Sequence, residues 1–190
     1  MKRRTALIGL TAIAGVAAAI PGVRWISLHG APDLDYLKRS RDLLSSLADS
    51  IIPKTDTPGA SECGVHDFII KMVTECTDVV TQNKFIEGLS KLESRTEDNY
   101  GKPFAECSEN EKNEILSYFE EADKPWSGIM GKVQRRYLGS PFFVTLRKYC
   151  VTGYCTSERG ATEGLRYSHI PTKYIPCETY SSGEKSWATS

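Results

Sequence analysis

The cysteine and histidine side chains are the residues of this sequence best suited to redox, metal or nucleophilic chemistry. They are Cys63, Cys76, Cys107, Cys150, Cys155 and Cys177, and His29, His66 and His169. No two cysteines have the C-x-x-C spacing of a metal or redox pair, and no histidine has a second one three or four residues away. We therefore expect this chain to hold no metal and no redox cofactor of its own.

The even number of cysteines permits disulfides in an exported chain. Cys150 and Cys155 are five residues apart, which on a helix turns their side chains about 140° away from each other. They are poor partners for each other. His66, beside Asp67 at a predicted helix start, is expected to be a satisfied surface histidine.

Motifs that bind nucleotides or activate a serine are missing. The sequence has no G-x-G-x-x-G after a predicted strand, no P-loop and no G-x-S-x-G. Its 24 basic residues balance its 24 acidic residues, with no basic stripe and no acidic tail. We therefore expect no nucleic-acid partner.

The first 19 residues have the pattern of an export signal. Lys2, Arg3 and Arg4 precede an apolar run that ends at Ile20, with small residues near a cleavage point. The adjacent arginines predict a twin-arginine signal, a route for proteins exported already folded. An ordinary secretory signal and an uncleaved anchor are the alternatives. The remaining residues, 20–190, are long enough for one domain.

The hydrophobic periodicity after the leader is helical throughout. It predicts one helix from Leu34 to Ile51 capped by Asp33, then helices over 65–77 and 79–99, a helix opened by a capping box of Ser108 with Glu111, and one opened by Ser140-Pro141. The chain becomes irregular from about residue 157, where proline, glycine and serine are frequent. We predict an all-α fold of five to six helices with an extended C-terminal tail.

Two stretches are unusual for plain connectors. The first is IIPKTDTPGA, residues 51–60, which is either a tight loop between helices or a loop shaped to lie against another surface. The second is SPFFVTLRKYCVTGYCTSERGA, residues 140–161, which carries more aromatic side chains than one helix face normally needs. Core packing explains most of them, and a groove on a partner could explain the rest.

Three motifs occur together in this sequence: the leader MKRRTAL, LADSIIPKTDTPGA followed by GVHDFI, and FFVTLRKYCVTGYCTSERGA with Tyr167 and YIPC downstream. Through these motifs the sequence resembles the gluconate 2-dehydrogenase subunit 3 family. The resemblance implies a non-catalytic small subunit of an exported sugar or polyol dehydrogenase. The catalytic partner, of the glucose–methanol–choline type, would hold FAD, pass electrons to a cytochrome c, and reach the periplasm with this chain through the twin-arginine translocase.

The resemblance also suggests roles for individual residues. Arg3 and Arg4 would engage the export receptor. The candidates for a partner interface are Thr55, Asp56, Thr57, Pro58, Gly59, Phe142, Phe143, Tyr154 and Tyr174, of which the aromatic ones are equally candidates for the core. Cys177 could reach another chain, or could form an internal disulfide with Cys150 or Cys155.

Two other hypotheses remain open from the sequence. One is a stand-alone periplasmic enzyme with a cysteine- or metal-based site, such as a cysteine nucleophile with His169; it predicts activity in the isolated chain. The other is a lone structural or binding protein, which predicts a monomer without exposed apolar surface.

Overall fold

The chain folds into helices, as its periodicity predicts. The computed structural model describes residues 27–124, 139–170, 177, 179 and 181–188. Its helices are α1 (Leu34–Arg39), α2 (Arg41–Ile51), α3 (Val65–Cys76), α4 (Val79–Tyr100), α5 (Glu109–Ala122) and α6 (Phe142–Thr156), with a 3-10 turn at Phe104–Glu106 and a π-helical turn at Gly160–Gly164. These ranges contain no strand, and the all-α prediction is confirmed.

Side-chain caps begin the helices where the sequence predicts them. The Asp33 carboxylate accepts a hydrogen bond from the Tyr36 backbone N–H at 2.8 Å and starts α1. Before α5, Ser108 and Glu111 form the predicted capping box, each side chain bonded to the other's backbone N–H. Each cap satisfies a donor that the helix itself leaves unpaired.

The start of α6 differs from the prediction. Ser140 makes no side-chain cap, and Pro141 directly precedes the first helical residue. The Phe143 backbone N–H instead donates to the Asp123 carboxylate at 2.6 Å, and the Ser140 N–H donates to the Thr81 hydroxyl at 3.1 Å. The cap of α6 thus comes from the residue after α5.

The prediction of one continuous helix from Leu34 to Ile51 is wrong, because the helix breaks at Ser40. The Ser40 hydroxyl donates to the Tyr36 carbonyl at 3.0 Å, and the backbone leaves helical geometry at this residue. Such local side-chain bonding competes with the helix ladder. The new start at Arg41 is tied to α3 by two hydrogen bonds of 2.7 Å from its guanidinium to Asp67.

The core is built around α6, which packs against α2, α3, α4 and α5. The Phe142 ring lies 5.3 Å from the Phe85 ring and 5.7 Å from the Phe119 ring, centroid to centroid. These three aromatic side chains join α4, α5 and α6. Such pairs contribute about 0.5–1.5 kcal/mol beyond the area they bury.

Two glycines allow α6 to approach its neighbours closely. A Cβ added at Gly88 on α4 would lie 2.2 Å from the Phe142 ring, and one at Gly153 would lie 2.7 Å from the Phe68 ring on α3. Larger residues would push the helices apart at both places. Thr77, just after the end of α3, bonds Tyr149 in the middle of α6, whereas Phe68 near the start of α3 faces Gly153 near the end of α6. The two helices therefore run antiparallel.

The tail is more ordered near its start than the sequence predicts. The π-helical turn continues the helical path to Gly164 before irregular chain begins. Further on, the Arg166 N–H donates to the Ser186 carbonyl at 2.8 Å, and the Ala188 N–H donates to the Arg166 carbonyl at 2.9 Å. The chain end therefore folds back beside Arg166. No helix in the described part is both long and apolar enough to span a membrane.

Candidate functional site

The loop between α2 and α3 is closed by bonds among its own residues. The Ala60 N–H donates to the Ile52 carbonyl at 3.1 Å, and the Thr55 N–H donates to the Thr57 carbonyl at 3.1 Å. The Thr55 hydroxyl lies 3.0 Å from an Asp56 carboxylate oxygen and 3.2 Å from the Thr57 hydroxyl. Threonine and aspartate thus serve here as turn formers.

The ends of the loop are held by charged side chains. The Ser61 N–H donates to the Asp49 carboxylate at 2.8 Å, and the Lys54 ammonium lies 2.6 Å from the Glu62 carboxylate. The bond to Lys54 holds the pKa of Glu62 below its ordinary value. A Cβ at Gly59 would lie 3.1 Å from the Asp49 carboxylate and 3.2 Å from the Lys54 backbone nitrogen, so the turn leaves little room for a side chain.

Tyr154 joins this loop to the end of α6. Its hydroxyl donates to the Pro58 carbonyl at 3.0 Å, a buried bond between residues 96 positions apart. The Tyr154 carbonyl accepts from the Ser157 hydroxyl at 2.8 Å, and that hydroxyl accepts from the Gly160 N–H at 3.0 Å. One tyrosine therefore organises both the loop and the chain that follows α6.

Arg159 forms a second link between the same two segments. Its guanidinium donates to the Glu62 carbonyl at 3.3 Å and to both carboxylate oxygens of Glu163 at 3.0 and 3.2 Å. The Lys185 ammonium donates to the Glu163 carbonyl and so links a residue of the C-terminal tail to the same region. We call this region, residues 52–64 together with residues 153–164, the motif end.

The motif end thus unites the two stretches that the sequence singles out. A model of the family described as gluconate 2-dehydrogenase subunit 3 matches residues 38–172, which include both of them. The chain belongs to this family. No curated protein and no solved structure matches the chain. The family identity makes the chain a subunit of a dehydrogenase complex and implies a dehydrogenase partner.

The candidate interface residues of the loop differ in exposure. Thr55 and Asp56 are exposed at the tip and Thr57 is half-buried, whereas Pro58 and Gly59 are buried beneath them. Of these five candidates, Thr55 and Asp56 are therefore the ones most accessible to another protein in this conformation. The buried pair supports the tip through the bond from Tyr154.

The aromatic candidates lie inside the chain. Phe142, Phe143 and Tyr154 are all buried in the core cluster. Tyr174 lies outside the described residues, as do Arg3 and Arg4. Of the two roles open to the aromatic residues, the structure assigns the first three to the core, and an interface role for Tyr174 stays a prediction.

All six cysteines lie in the described ranges, where each is a free thiol. Cys150 is buried, and its burial raises the pKa of the thiol to about 12, which makes it unreactive as a nucleophile. Cys155 is half-buried and Cys177 is exposed. The described part of the chain has no group of three His, Cys, Asp or Glu side chains that could hold a metal ion. The proposed disulfides stay predictions.

The expectation of a satisfied surface histidine at position 66 is wrong. His66 is only 7% exposed, and neither ring nitrogen makes a hydrogen bond to a residue that the structure describes, although Nε2 lies 3.4 Å from an Asp67 carboxylate oxygen. Asp67 is instead bonded to Arg41, which holds its pKa below the ordinary value. The first turn of α3 packs inward against α2, and sequence spacing did not reveal this.

Sequence reasoning also missed a groove between α4 and α5. The groove has a volume of about 440 Å³ and contains Ser90, Ser94, Arg95, Asn99, Tyr118 and Asp123 in its lining. The Arg95 guanidinium carbon lies 3.5 Å from the centre of the Tyr118 ring, a stacked cation–π contact. No short motif contains this pair, because its members lie on different helices.

Proposed function

We propose that this chain is the non-catalytic small subunit of a periplasmic FAD-dependent dehydrogenase that oxidises a sugar or polyol. The catalytic partner is a flavoprotein of the glucose–methanol–choline type, with a cytochrome c as its electron acceptor. The observation that carries the proposal is the family match over residues 38–172, next to a leader that contains Arg3 and Arg4. This chain supplies the twin-arginine signal and stabilises a partner that has none.

The motifs of this sequence indicate which subunit holds the flavin and which carries the export signal. The sequence has no dinucleotide fingerprint, so the flavin is assigned to the partner. A flavoprotein that binds its cofactor before export must cross the membrane folded. A subunit that carries the signal must then stay bound during export, which favours a large interface. The complex works in the periplasm and associates with the membrane through its other components.

The tip of the α2–α3 loop is the proposed docking point at the motif end. Thr55 and Asp56 are exposed there, and their bonds to each other and to Thr57 hold the tip in one shape. A loop that is ordered before binding loses little conformational entropy when a partner docks on it. Asp56→Lys should therefore weaken the complex, whereas Asp35→Lys, on the exposed side of α1, should not.

The test of the function is an export experiment. The chain is expressed with its flavoprotein partner, Arg3 and Arg4 are both changed to Lys, and dehydrogenase activity and FAD absorbance are measured in the periplasm and the cytoplasm. Arg24→Lys, the same chemical change beyond the leader, is the control. We expect flavin and activity to remain in the cytoplasm only with the double variant. A flavoprotein that reaches the periplasm regardless would refute the proposal.

A further inference from the structure

Arg95 differs from the other arginines in the described part of the chain. Arg41, Arg147, Arg159 and Arg166 each pair with a carboxylate, and Arg39 is exposed to water. Arg95 is half-buried, its Nε atom is buried without a hydrogen bond, and it forms no ion pair with a described residue. A buried donor without a partner costs on the order of 1–3 kcal/mol, and the half-buried guanidinium also lacks a counter-charge among the described residues, so this arginine calls for an explanation.

Carboxylates near Arg95 do not supply the missing partner. Asp98 and Asp123 line the same groove, but neither lies within ion-pair distance of the guanidinium, and Asp123 accepts the Phe143 N–H. Outside the described residues, the sequence contains one acidic side chain, Glu178, which the test below includes. The other source of a carboxylate is another chain.

The groove around Arg95 has the composition of a protein interface. Tyr118 is 47% exposed although it is large and aromatic, and Arg95 covers one face of its ring. Tyrosine and arginine are, with tryptophan, the side chains most enriched among those that dominate binding energy at interfaces. Hydroxyl and amide groups from Ser90, Ser94 and Asn99 provide hydrogen bonds beside them.

The groove also continues on both sides of α4. It shares Ser90 and Ser94 with a cavity of about 700 Å³ beside α1, and shares Lys91 and Asp123 with a smaller one beside α6. Together they follow α4 from Lys84 to Asn99, roughly 22 Å at 1.5 Å per residue. A surface of this length suits a protein segment better than a small molecule.

We infer that the α4–α5 groove is a second contact surface for the dehydrogenase subunit, in which Arg95 binds a carboxylate of that subunit. The inference rests on the proposed function, because it takes the partner from there. The Arg95 Nη–H groups donate to the carboxylate, which supplies the counter-charge that the guanidinium lacks among the described residues, and Tyr118 holds the guanidinium plane in place. A planar guanidinium fits a carboxylate with two parallel hydrogen bonds, which gives orientation as well as affinity.

The test measures the affinity of the full-length chain for its flavoprotein partner. Arg95→Gln, Arg95→Lys and Arg95→Glu are compared with Lys71→Glu, which makes the same charge reversal as Arg95→Glu at an exposed residue of α3, outside the three cavities. We expect the dissociation constant to rise about tenfold for Arg95→Gln, less for Arg95→Lys and more for Arg95→Glu. The control should stay within about twofold of wild type. Circular dichroism shows whether each variant is folded. If Arg95→Glu does not fold, the affinity of Arg95→Gln decides the question.

Several results would overturn the inference. The first is wild-type affinity in Arg95→Gln and Arg95→Glu. A second is that Glu178→Gln weakens binding as much as Arg95→Gln and the double variant weakens it no further, which would show a pair within this chain. A third is an Arg95-dependent dimer of the isolated chain with an unchanged complex. If wild type itself fails to bind the flavoprotein, the proposed function fails first.

Discussion

The motif end and the α4–α5 groove differ in how their polar side chains are paired. At the motif end, Tyr154, Arg159 and Asp49 each bond a backbone group of a neighbouring segment. In the groove, Arg95 has an aromatic ring beneath it and no bonded oxygen from the described residues. The first region is complete within the chain, whereas the second leaves a charged group to be satisfied.

The two regions illustrate two different reasons why a residue is distinctive: it builds the fold, or it binds a partner. The buried members of the family stretches, such as Pro58, Gly59 and Tyr154, build a rigid loop and place its tip. Their contribution to binding is indirect, through the shape of that tip. A group such as Arg95 adds little to the loop or the core, and its arrangement makes physical sense chiefly when a partner binds.

The largest expected effect on folding comes from filling the space at Gly160. A Cβ there would lie 2.0 Å from the Tyr154 carbonyl oxygen, and a backbone atom cannot move away easily. We expect Gly160→Ala to lower the free energy of unfolding by about 3 kcal/mol in urea titrations. Gly183→Ala, where φ is +86° and nothing lies within 4 Å, should cost about 1 kcal/mol. Equal losses would mean that the motif end is not tightly built.

A smaller effect is expected from removing one hydroxyl at the motif end. Tyr154→Phe keeps the ring but leaves the Pro58 carbonyl without its buried donor. We expect a loss of about 1–2 kcal/mol in the same titration. Tyr118→Phe in the groove is the matched control and should change stability by less than about 0.5 kcal/mol, because Tyr118 is exposed. Equal losses of unfolding free energy in Tyr154→Phe and Tyr118→Phe would contradict this prediction.

The fold was predictable wherever neighbouring residues decide it. Asp33 and Ser108 cap their helices through backbone groups three residues away, so the pattern is visible in the sequence. The break at Ser40 was not, because α1 and α2 continue one apolar stripe. The start of α6 depends on Asp123, twenty positions earlier, which no local pattern indicates.

The candidate site was predictable in its segments but not in its contacts. The sequence indicated residues 51–60 and 140–161, yet it did not show that Tyr154 joins them. Arg95 and Tyr118 are ordinary residues on two amphipathic helices, and only packing brings them together. His66 looks like a surface residue in the sequence because histidine and aspartate follow each other there, and only tertiary packing buries it.

The pH dependence of folding offers a finer test at the edge of the groove. Burial raises the pKa of Asp123, against the lowering effects of the Phe143 N–H, Lys84 and Lys91. The folded state therefore binds this proton more tightly than the unfolded state, and stability falls as pH rises through the interval just above 3.8. Asp123→Asn keeps an oxygen for the Phe143 N–H, so its stability relative to wild type should increase across that interval. Urea midpoints between pH 3 and 6 measure this, and a constant difference would contradict it.

The smallest expected effect is on the stability of the isolated chain when Arg95 becomes Gln. The substitution loses a cation–π contact of about 0.5–1 kcal/mol and also removes a buried, unbonded Nε–H, so the two effects nearly cancel. We expect a change within about 0.5 kcal/mol. Arg41→Gln, which breaks two bonds to Asp67, should cost more in the same experiment. A loss of 2 kcal/mol or more from Arg95→Gln would show that Arg95 holds α4 to α5 within the chain. The groove would then be built like the motif end, and its arginine would no longer indicate a partner.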